Sequence, residues 1–211
     1  MVRGGDHVND TARQMNNHKA LGAECTEDAH LPMIQGDNGK RLSKRRGADG
    51  VMQYFEEGYL AEAMLSYLVR LGWSHGDQEI FSVEEMIEYF SLDDINKSAS
   101  TFNTEKLNWI NQQYLVSQPL EQLFDLVKHR LKKLGVESGD RTNFDSIADL
   151  YRQRVATVNE LVDSILYCFR DIDRYDEKAA KRALKPAALE PLTQLQDQLA
   201  LLEVWNSTTI H

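Results

Sequence analysis

The strongest constraint on the fold is a series of helical segments with defined ends that starts after Gly50. Leu60–Leu71 repeats apolar residues at helical spacing and is followed by Gly72, which favours a helix end. Ser82 and Glu85 have the spacing of a capping box, which indicates that another helix begins there. A chain dominated by such segments is predicted to be mainly α.

The other helices of this part are predicted from the same signals. A second capping box, Thr157 with Glu160, lies inside a long apolar stretch, which we interpret as two helices joined near Ala156. Pro186 and Pro191 are expected to precede a last amphipathic helix. The predicted segments are Val51–Glu57, Ser82–Phe90, a helix capped by Asn103 or Thr104, Pro119–Leu134, Ile147–Phe169 (the two joined helices) and Leu192–Trp205.

The first 50 residues have a mixed α/β pattern. Thr11–Leu21 is predicted to be a helix, with its N-cap among the residues 9–11. His30–Ile34 is predicted to be a strand and Gln35–Gly39 a tight hairpin turn, from which a returning segment leads into a basic run. One or two strands cannot close a doubly wound sheet, so we expect this piece to belong to a larger domain.

Charge and composition exclude several classes of protein. Residues 1–50 hold 8 basic and 7 acidic side chains, whereas residues 51–211 hold 16 basic and 26 acidic ones, so general coating of nucleic acid is not expected. No apolar stretch is long enough to span a membrane, and the N-terminus has no apolar signal core. Two cysteines distant in sequence, Cys25 and Cys168, fit free thiols in a cytoplasmic protein and leave no zinc site.

The chemistry-bearing motif is a basic run, Lys40–Arg46, in which five of seven residues are Lys or Arg. A flexible loop of this composition beside a glycine turn suits a nucleoside triphosphate, because lysine is a mobile point charge that can follow charge developing on a leaving pyrophosphate. Composition alone favours the alternative, a solvated surface patch.

The run and its flanks together resemble one family. Lys40–Gly47 resembles the mobile second signature of class I aminoacyl-tRNA synthetases, in the form typical of bacterial glutamyl-tRNA synthetases. Arg3–His7 with Thr11–Gln14 resembles that family's preceding segment, and Tyr67–Ser74 resembles its connector. The likeness is dense over about residues 1–115 and thinner, but still ordered, to the end.

The resemblance implies three parts. Residues 1–50 would be the C-terminal remnant of a Rossmann-type catalytic domain with few strands, carrying the signature loop 40–47. Residues 51–118 would be a helical connector that contacts the tRNA stem, and residues 119–211 an incomplete α-helical anticodon-binding bundle.

The resemblance also implies residue roles in the basic run. Lys44 matches the catalytic signature lysine, expected to contact ATP and to stabilise pyrophosphate as the adenylate forms. Ser43 and Arg45 match its ATP-binding neighbours, and Arg41 stands where lysine is usual. Arg46, where histidine is common, is expected to contact tRNA.

Four residues outside the run also receive roles from the resemblance. Arg3 matches the arginine expected to pair with the carboxylate of glutamate, a task that suits a bidentate guanidinium. Asp6 and His7 match residues near ATP and the tRNA acceptor end. Arg154 matches an arginine implicated in reading the anticodon.

The implied activity is that of a glutamate–tRNA ligase, with glutamate, ATP accompanied by Mg²⁺, and the glutamate tRNA as substrates of a monomeric parent. The first class I signature, a His-x-Gly-His-type turn, is absent from this sequence. We therefore expect a middle-to-late portion of a synthetase that is inactive or severely impaired alone.

The alternative is a non-enzymatic helical tRNA-binding or adaptor module. A tRNA-nucleoside-modifying paralogue and a glutaminyl-tRNA synthetase are disfavoured, because helices continue past Pro119 and the signature has the Leu-Ser-Lys form.

Overall fold

The computed structural model describes residues 1–36, 39, 50–138, 144–172 and 175–202. The chain forms two compact units, Met1–Phe169 and Arg170–His211. The described residues are mostly helical, so the prediction of a mainly α chain is confirmed. The α-helices are α1 (Val8–Ala20), α2 (Val51–Glu57), α3 (Ala61–Gly72), α4 (Val83–Tyr89), α5 (Thr104–Ser117), α6 (Leu120–Lys133), α7 (Phe144–Tyr151), α8 (Val158–Ile165), α9 (Glu177–Ala183) and α10 (Pro186–Ala200).

The strands form two short parallel pairs, with β1 (Val2–Gly4) beside β2 (Ala29–Leu31) and β3 (Ile34–Gln35) beside β4 (Ser100–Thr101). The single strand predicted at His30–Ile34 is therefore divided, and Pro32, which has no N–H to donate, lies between the two pieces.

The turn after β3 is present, because the N–H of Gly39 donates to the main-chain oxygen of Gly36 over 2.9 Å and Gly39 has a φ of +68°. The segment predicted to return from this turn lies outside the described residues. Within them, β3 pairs in parallel with β4.

Helix α1 begins earlier than predicted. A 3-10 turn, Gly5–His7, runs directly into Val8, and His7 occupies the N-cap position without a side-chain cap. Thr11, one of the expected caps, instead lies inside the helix, where its hydroxyl donates to the main-chain oxygen of His7 over 3.0 Å. In this back-bonding the hydroxyl donates to a carbonyl one turn earlier, whereas the hydroxyl of an N-cap accepts from a main-chain N–H.

Several predicted helix ends are confirmed. Ser82 and Glu85 form a complete capping box at the start of α4, with N–H to side-chain oxygen distances of 2.8 and 3.1 Å. Asn103 caps α5 by accepting from the N–H of Lys106 over 2.9 Å. Gly58 ends α2 with a φ of +95°, the left-handed conformation that glycine adopts without steric cost.

Two predicted boundaries differ in detail. Thr157 caps α8, but the Glu160 carboxylate accepts from the N–H of Ala156, one residue before the cap, over 2.6 Å. Helix α10 begins at Pro186 and passes through Pro191, whereas the sequence predicted a start at Leu192. Proline suits the first helical position, and Pro191 removes only one internal hydrogen bond near that end.

The core of the first unit lies between α3, α5, α6, α7 and α8, where α3 packs on α5 and α6 on α8. Its side chains are mostly aliphatic and include the aromatic rings of Tyr59, Tyr67 and Phe144. A smaller cluster of Trp73, Phe81 and Met86 covers the α3–α4 connection. The innermost residues of the main core are Leu107, Ile110, Leu115, Leu123, Val127, Leu131, Phe144, Leu161 and Ile165.

In the second unit, neither α9 nor α10 contains a buried residue. The carboxylate of Asp176 caps α9 by accepting from the N–H of Ala179 over 2.7 Å.

Candidate functional site

The candidate site starts at the carboxyl end of β1. Arg3 lies on this strand in register with His30 of β2, and Asp6 and His7 follow in the 3-10 turn that leads into α1. Carboxyl ends of parallel strands are where α/β folds place ligands. The structure therefore brings together three of the residues that the resemblance selected.

The side chains of this group are accessible and charged. The ring of His7 lies between two carboxylates, with Nε2 3.8 Å from Asp6 Oδ2 and Nδ1 3.3 Å from Asp10 Oδ2. Arg3 is half-buried, and its Nε lies 2.7 Å from the sulfur of Met1. The arrangement can present a cation and an anion to a ligand from neighbouring positions of one turn.

Two glycines keep the backbone of this turn close to its surroundings. A Cβ built on Gly4 would lie 2.5 Å from Oδ1 of Asp6, and one on Gly5 would lie 3.2 Å from the main-chain oxygen of Leu31. The absence of a side chain at Gly4 leaves room for the carboxylate of Asp6, and its absence at Gly5 allows the close approach of Leu31.

His30 is a polar member of the group that sequence reasoning assigned only to an apolar strand. Its Nε2 lies 3.0 Å from the buried hydroxyl of Thr11. Because that hydroxyl donates to His7, it accepts from His30, so Nε2 carries the proton and a neutral ring keeps Nδ1 as an acceptor. The sequence signal that could have indicated this contact is Thr11, because a hydroxyl in the first turn of α1 can reach neighbouring elements.

A cleft of about 760 Å³ opens beside this group. One wall is the segment from Ala29 to Met33 with Gly5, and the other is the loop before β4, which contributes Asp93, Asn96 and Lys97. The cleft is large enough for part of a nucleotide.

The basic run cannot be placed by the structure. Arg41, Ser43, Lys44, Arg45 and Arg46 all lie outside the described residues. The chain enters this stretch from the turn that ends at Gly39 and leaves it at Gly50, which precedes the first residue of α2.

Arg154 lies apart from the β1 group in the described contacts. It is exposed in the link between α7 and α8, and its N–H donates to the main-chain oxygen of Tyr151 over 2.8 Å. An exposed arginine of this kind is available to a partner.

The described residues hold neither a candidate metal site nor a candidate membrane span. They contain no cluster of three or more His, Cys, Asp and Glu side chains arranged to hold a metal ion. None of their helices has the length and apolar character that crossing a membrane requires.

Comparison with protein families defines the class. Residues 1–109 match the family described as tRNA synthetases class I (E and Q), catalytic domain, and residues 83–211 match the family described as anticodon binding domain. The chain therefore belongs to the class I tRNA synthetases of the glutamate and glutamine group, and the resemblance read from the sequence is confirmed.

Among solved structures, the chain is similar to glutamate tRNA ligases. A glutamate tRNA ligase from Elizabethkingia meningosepticum CCUG26117, in complex with its amino acid, is similar with a TM-score of 0.78 and 31% identity, over 96% of this chain and 44% of that one. A glutamate-tRNA synthetase from Elizabethkingia anophelis is similar with a TM-score of 0.73 and 31% identity, over 92% of this chain and 42% of that one. The chain thus spans less than half the length of these relatives.

Proposed function

We propose that this chain is part of a glutamate–tRNA ligase, which activates glutamate with ATP and transfers it to the 3′ end of its tRNA. The observation that carries the proposal is the similarity to solved glutamate–tRNA ligases over 96% of the chain. The three predicted parts, residues 1–50, 51–118 and 119–211, stay a prediction, and so do a monomeric parent and a cytoplasmic location.

The proposed roles divide between two groups of residues. At the end of β1, Arg3 pairs with the carboxylate of glutamate, while Asp6 and His7 contact ATP and the tRNA acceptor end. Their position at the carboxyl end of a parallel strand supports this assignment. Arg154, exposed in the link between α7 and α8, contributes to anticodon recognition.

The basic run is proposed to hold the triphosphate. Lys44 stabilises the departing pyrophosphate, and Ser43, Arg41 and Arg45 bind ATP beside it, while Arg46 contacts tRNA. Mg²⁺ enters with ATP as part of the substrate. Catalysis of this kind requires positioning and charge stabilisation and no covalent protein intermediate.

The proposal is tested by glutamate-dependent exchange of labelled pyrophosphate into ATP. The 211-residue chain alone is expected to give no exchange, because it lacks a first class I signature. A chimera, in which this chain replaces the matching part of the Elizabethkingia meningosepticum ligase, is expected to give exchange with glutamate and not with glutamine. Exchange is expected to fall by at least about a hundredfold in the Lys44→Ala chimera.

Three results would contradict parts of this proposal. A folded chimera that prefers glutamine would contradict the substrate. Unchanged exchange after Lys44→Ala would contradict the role of the basic run. Specific tRNA binding by the chain, combined with a folded chimera that never activates an amino acid, would favour the adaptor module.

A further inference from the structure

A stripe of exposed cations lies on α9 of the second unit. Lys178, Lys181 and Arg182 are spaced i, i+3 and i+4, which places them on one face of the helix, and all three are exposed. Lys185 follows at the N-cap position of α10 and is also exposed. We call these four residues the α9 basic stripe.

The stripe has no anionic partner within the described part of the chain. The ion pairs found there involve other residues, including Lys106 with Glu79 and Lys133 with Glu56. Two acidic side chains lie at the start of the helix: Asp176 caps α9, and Glu177, in the first turn, lies one residue before Lys178 and four before Lys181. Residues 176–185 thus hold four cations against two anions, one of which is used as a cap, in a chain whose net charge is −9.

Helix-dipole stabilisation explains only part of this pattern. Lys181 and Arg182 lie in the last turn of α9, where cations are favourable. Lys178 lies in the first turn, near the positive end of the dipole, where a cation is unfavourable. A ligand that carries negative charge along its length would compensate that residue as well.

The other faces of α9 limit the kind of partner. Its remaining core-like residues are Ala179, Ala180 and Ala183, which offer no bulky apolar side chain for insertion into a lipid surface. The helix carries no aromatic side chain on which a base can stack. Flexible cations without aromatic or amide neighbours suit contacts to phosphates, which position a nucleic acid without carrying sequence information.

We propose that the α9 basic stripe binds the phosphate backbone of an RNA, which under the proposed function is the tRNA. This proposal rests on the proposed function for the identity of the RNA. It goes beyond that function because it assigns a surface that contributes to the affinity for tRNA and does not contribute to recognition of the anticodon. Arg154, if it reads the anticodon, has the complementary task.

The experiment measures fluorescence anisotropy of end-labelled glutamate tRNA titrated with the 211-residue chain over a series of NaCl concentrations. The test variant is K178Q/K181Q/R182Q. The matched control, K19Q/K128Q/K132Q, removes three exposed cations from α1 and α6 and so changes the net charge equally. Circular dichroism of both variants checks that the helices remain folded.

The test variant is expected to bind at least about tenfold more weakly at low salt, and its slope of log affinity against log salt is expected to fall by about two to three. The control is expected to change both quantities less. The loss in the test variant is expected to be the same for a tRNA with substituted anticodon bases, because phosphates carry no sequence information.

Other outcomes overturn the proposal. These are absence of tRNA binding by the unaltered chain, an unchanged salt slope in the test variant, and an equal loss in the control, which would indicate attraction by net charge alone. If the test variant lost binding to vesicles of phosphatidylcholine and phosphatidylserine and kept its binding to tRNA, the stripe would be a lipid-binding surface instead. Failure of the chimera to activate glutamate would refute the proposed function and leave the salt-slope result standing.

Discussion

Nη1 of Arg130 in α6 donates to the main-chain oxygen of Glu56, in the last turn of α2, over 2.9 Å. The same guanidinium also donates to the main-chain oxygen of Phe55 and lies 4.9 Å from the centroid of its ring. From α8, Asn159 donates its side-chain amide to the oxygen of Glu56 over 2.8 Å. Two helices from the part that matches the anticodon-binding family thus satisfy the last carbonyls of a helix in the catalytic part.

We predict that Arg130→Met destabilises the chain by about 1–3 kcal/mol, because the carbonyls of Phe55 and Glu56 lose the charged donor and keep only the N–H of Gly58 and the amide of Asn159. Only 10% of the Arg130 side chain is exposed, so water cannot replace the lost bonds. Urea-induced unfolding followed by circular dichroism measures the change. Lys133→Met is the control, since it removes a pair with Glu56 at the surface and is expected to cost less than about 1 kcal/mol. Equal costs would contradict the assignment.

The Glu56 carboxylate predicts a pH dependence. Its pKa is lowered mainly by the hydrogen bond from Lys133; partial desolvation opposes this, and the charges of Lys133 and Arg130 add to the lowering. A carboxylate with a lowered pKa stabilises the fold at a pH above the ordinary value of glutamate, about 4.3. That stabilisation is lost as the pH falls through the lowered value.

We therefore expect Glu56→Gln to be less stable than the unaltered chain at neutral pH and to approach it in stability as the pH falls through the lowered pKa of Glu56. Urea midpoints measured across this range test the prediction. Glu88→Gln, at an exposed position of α4 without an ion pair in the described part of the chain, serves as control and should show no such convergence. If the difference in stability between Glu56→Gln and the unaltered chain increased as the pH was lowered, the linkage would have the opposite sign.

Gly58 is predicted to resist substitution more strongly than another glycine of the same conformation. It has a φ of +95°, and a Cβ added there would lie 2.7 Å from the main-chain nitrogen of Asn159. Gly135 also has a positive φ, +70°, but a Cβ there would meet nothing within 4 Å. Gly135→Ala is expected to cost about 1 kcal/mol from backbone strain alone, and Gly58→Ala about 3 kcal/mol or more. Similar unfolding midpoints for the two variants would contradict the close approach.

Local signals in the sequence were sufficient for many helix ends. Ser82, Asn103 and Gly58 act through contacts with residues three or four positions away, so their effect is encoded within a short window. The pairing of Val2–Gly4 with Ala29–Leu31 has no such signal, because the two segments meet only after α1 has formed between them. The division of the predicted strand at Pro32 did have a local signal, because proline has no N–H to donate to a strand partner.

Long-range contacts also explain which site features the sequence did not reveal. Arginine is usually an exposed residue on a helix. Arg130 is buried because it donates hydrogen bonds to the carbonyls of α2, and no pattern in α6 predicts this. His30 became part of the site only through its contact with Thr11. Arg3, Asp6 and His7 were selected by family resemblance and not by periodicity; the structure places them together, and their roles stay predictions.

Asn111 is predicted to be the most sensitive polar residue of the core. Its Oδ1 accepts from the N–H of Leu60 over 2.8 Å, and its Nδ2 donates to the main-chain oxygen of Ala156 over 2.5 Å. Asn111→Leu leaves both main-chain groups unpaired in a buried site and is expected to cost about 3 kcal/mol. Gln112→Leu removes one exposed bond, to Gln153, and is expected to cost less than about 1 kcal/mol. Thermal and urea unfolding of the two variants measures whether the loss of stability is larger at the buried Asn111 than at the exposed Gln112.

Gly4→Ala is predicted to separate folding from function. The added Cβ would lie 2.5 Å from the carboxylate of Asp6, and because that group is the end of a flexible side chain, it can move away at small cost to stability. If Asp6 contacts ATP, the displacement should raise the KM for ATP in the chimera roughly tenfold or more. Gly22→Ala, in open space after α1, is the control for the change of residue type and should leave that KM unaltered. Pyrophosphate exchange at varied ATP measures the KM, and thermal unfolding checks that the Gly4→Ala protein remains folded. A KM unchanged by Gly4→Ala would remove Asp6 from the ATP site while leaving the fold as described.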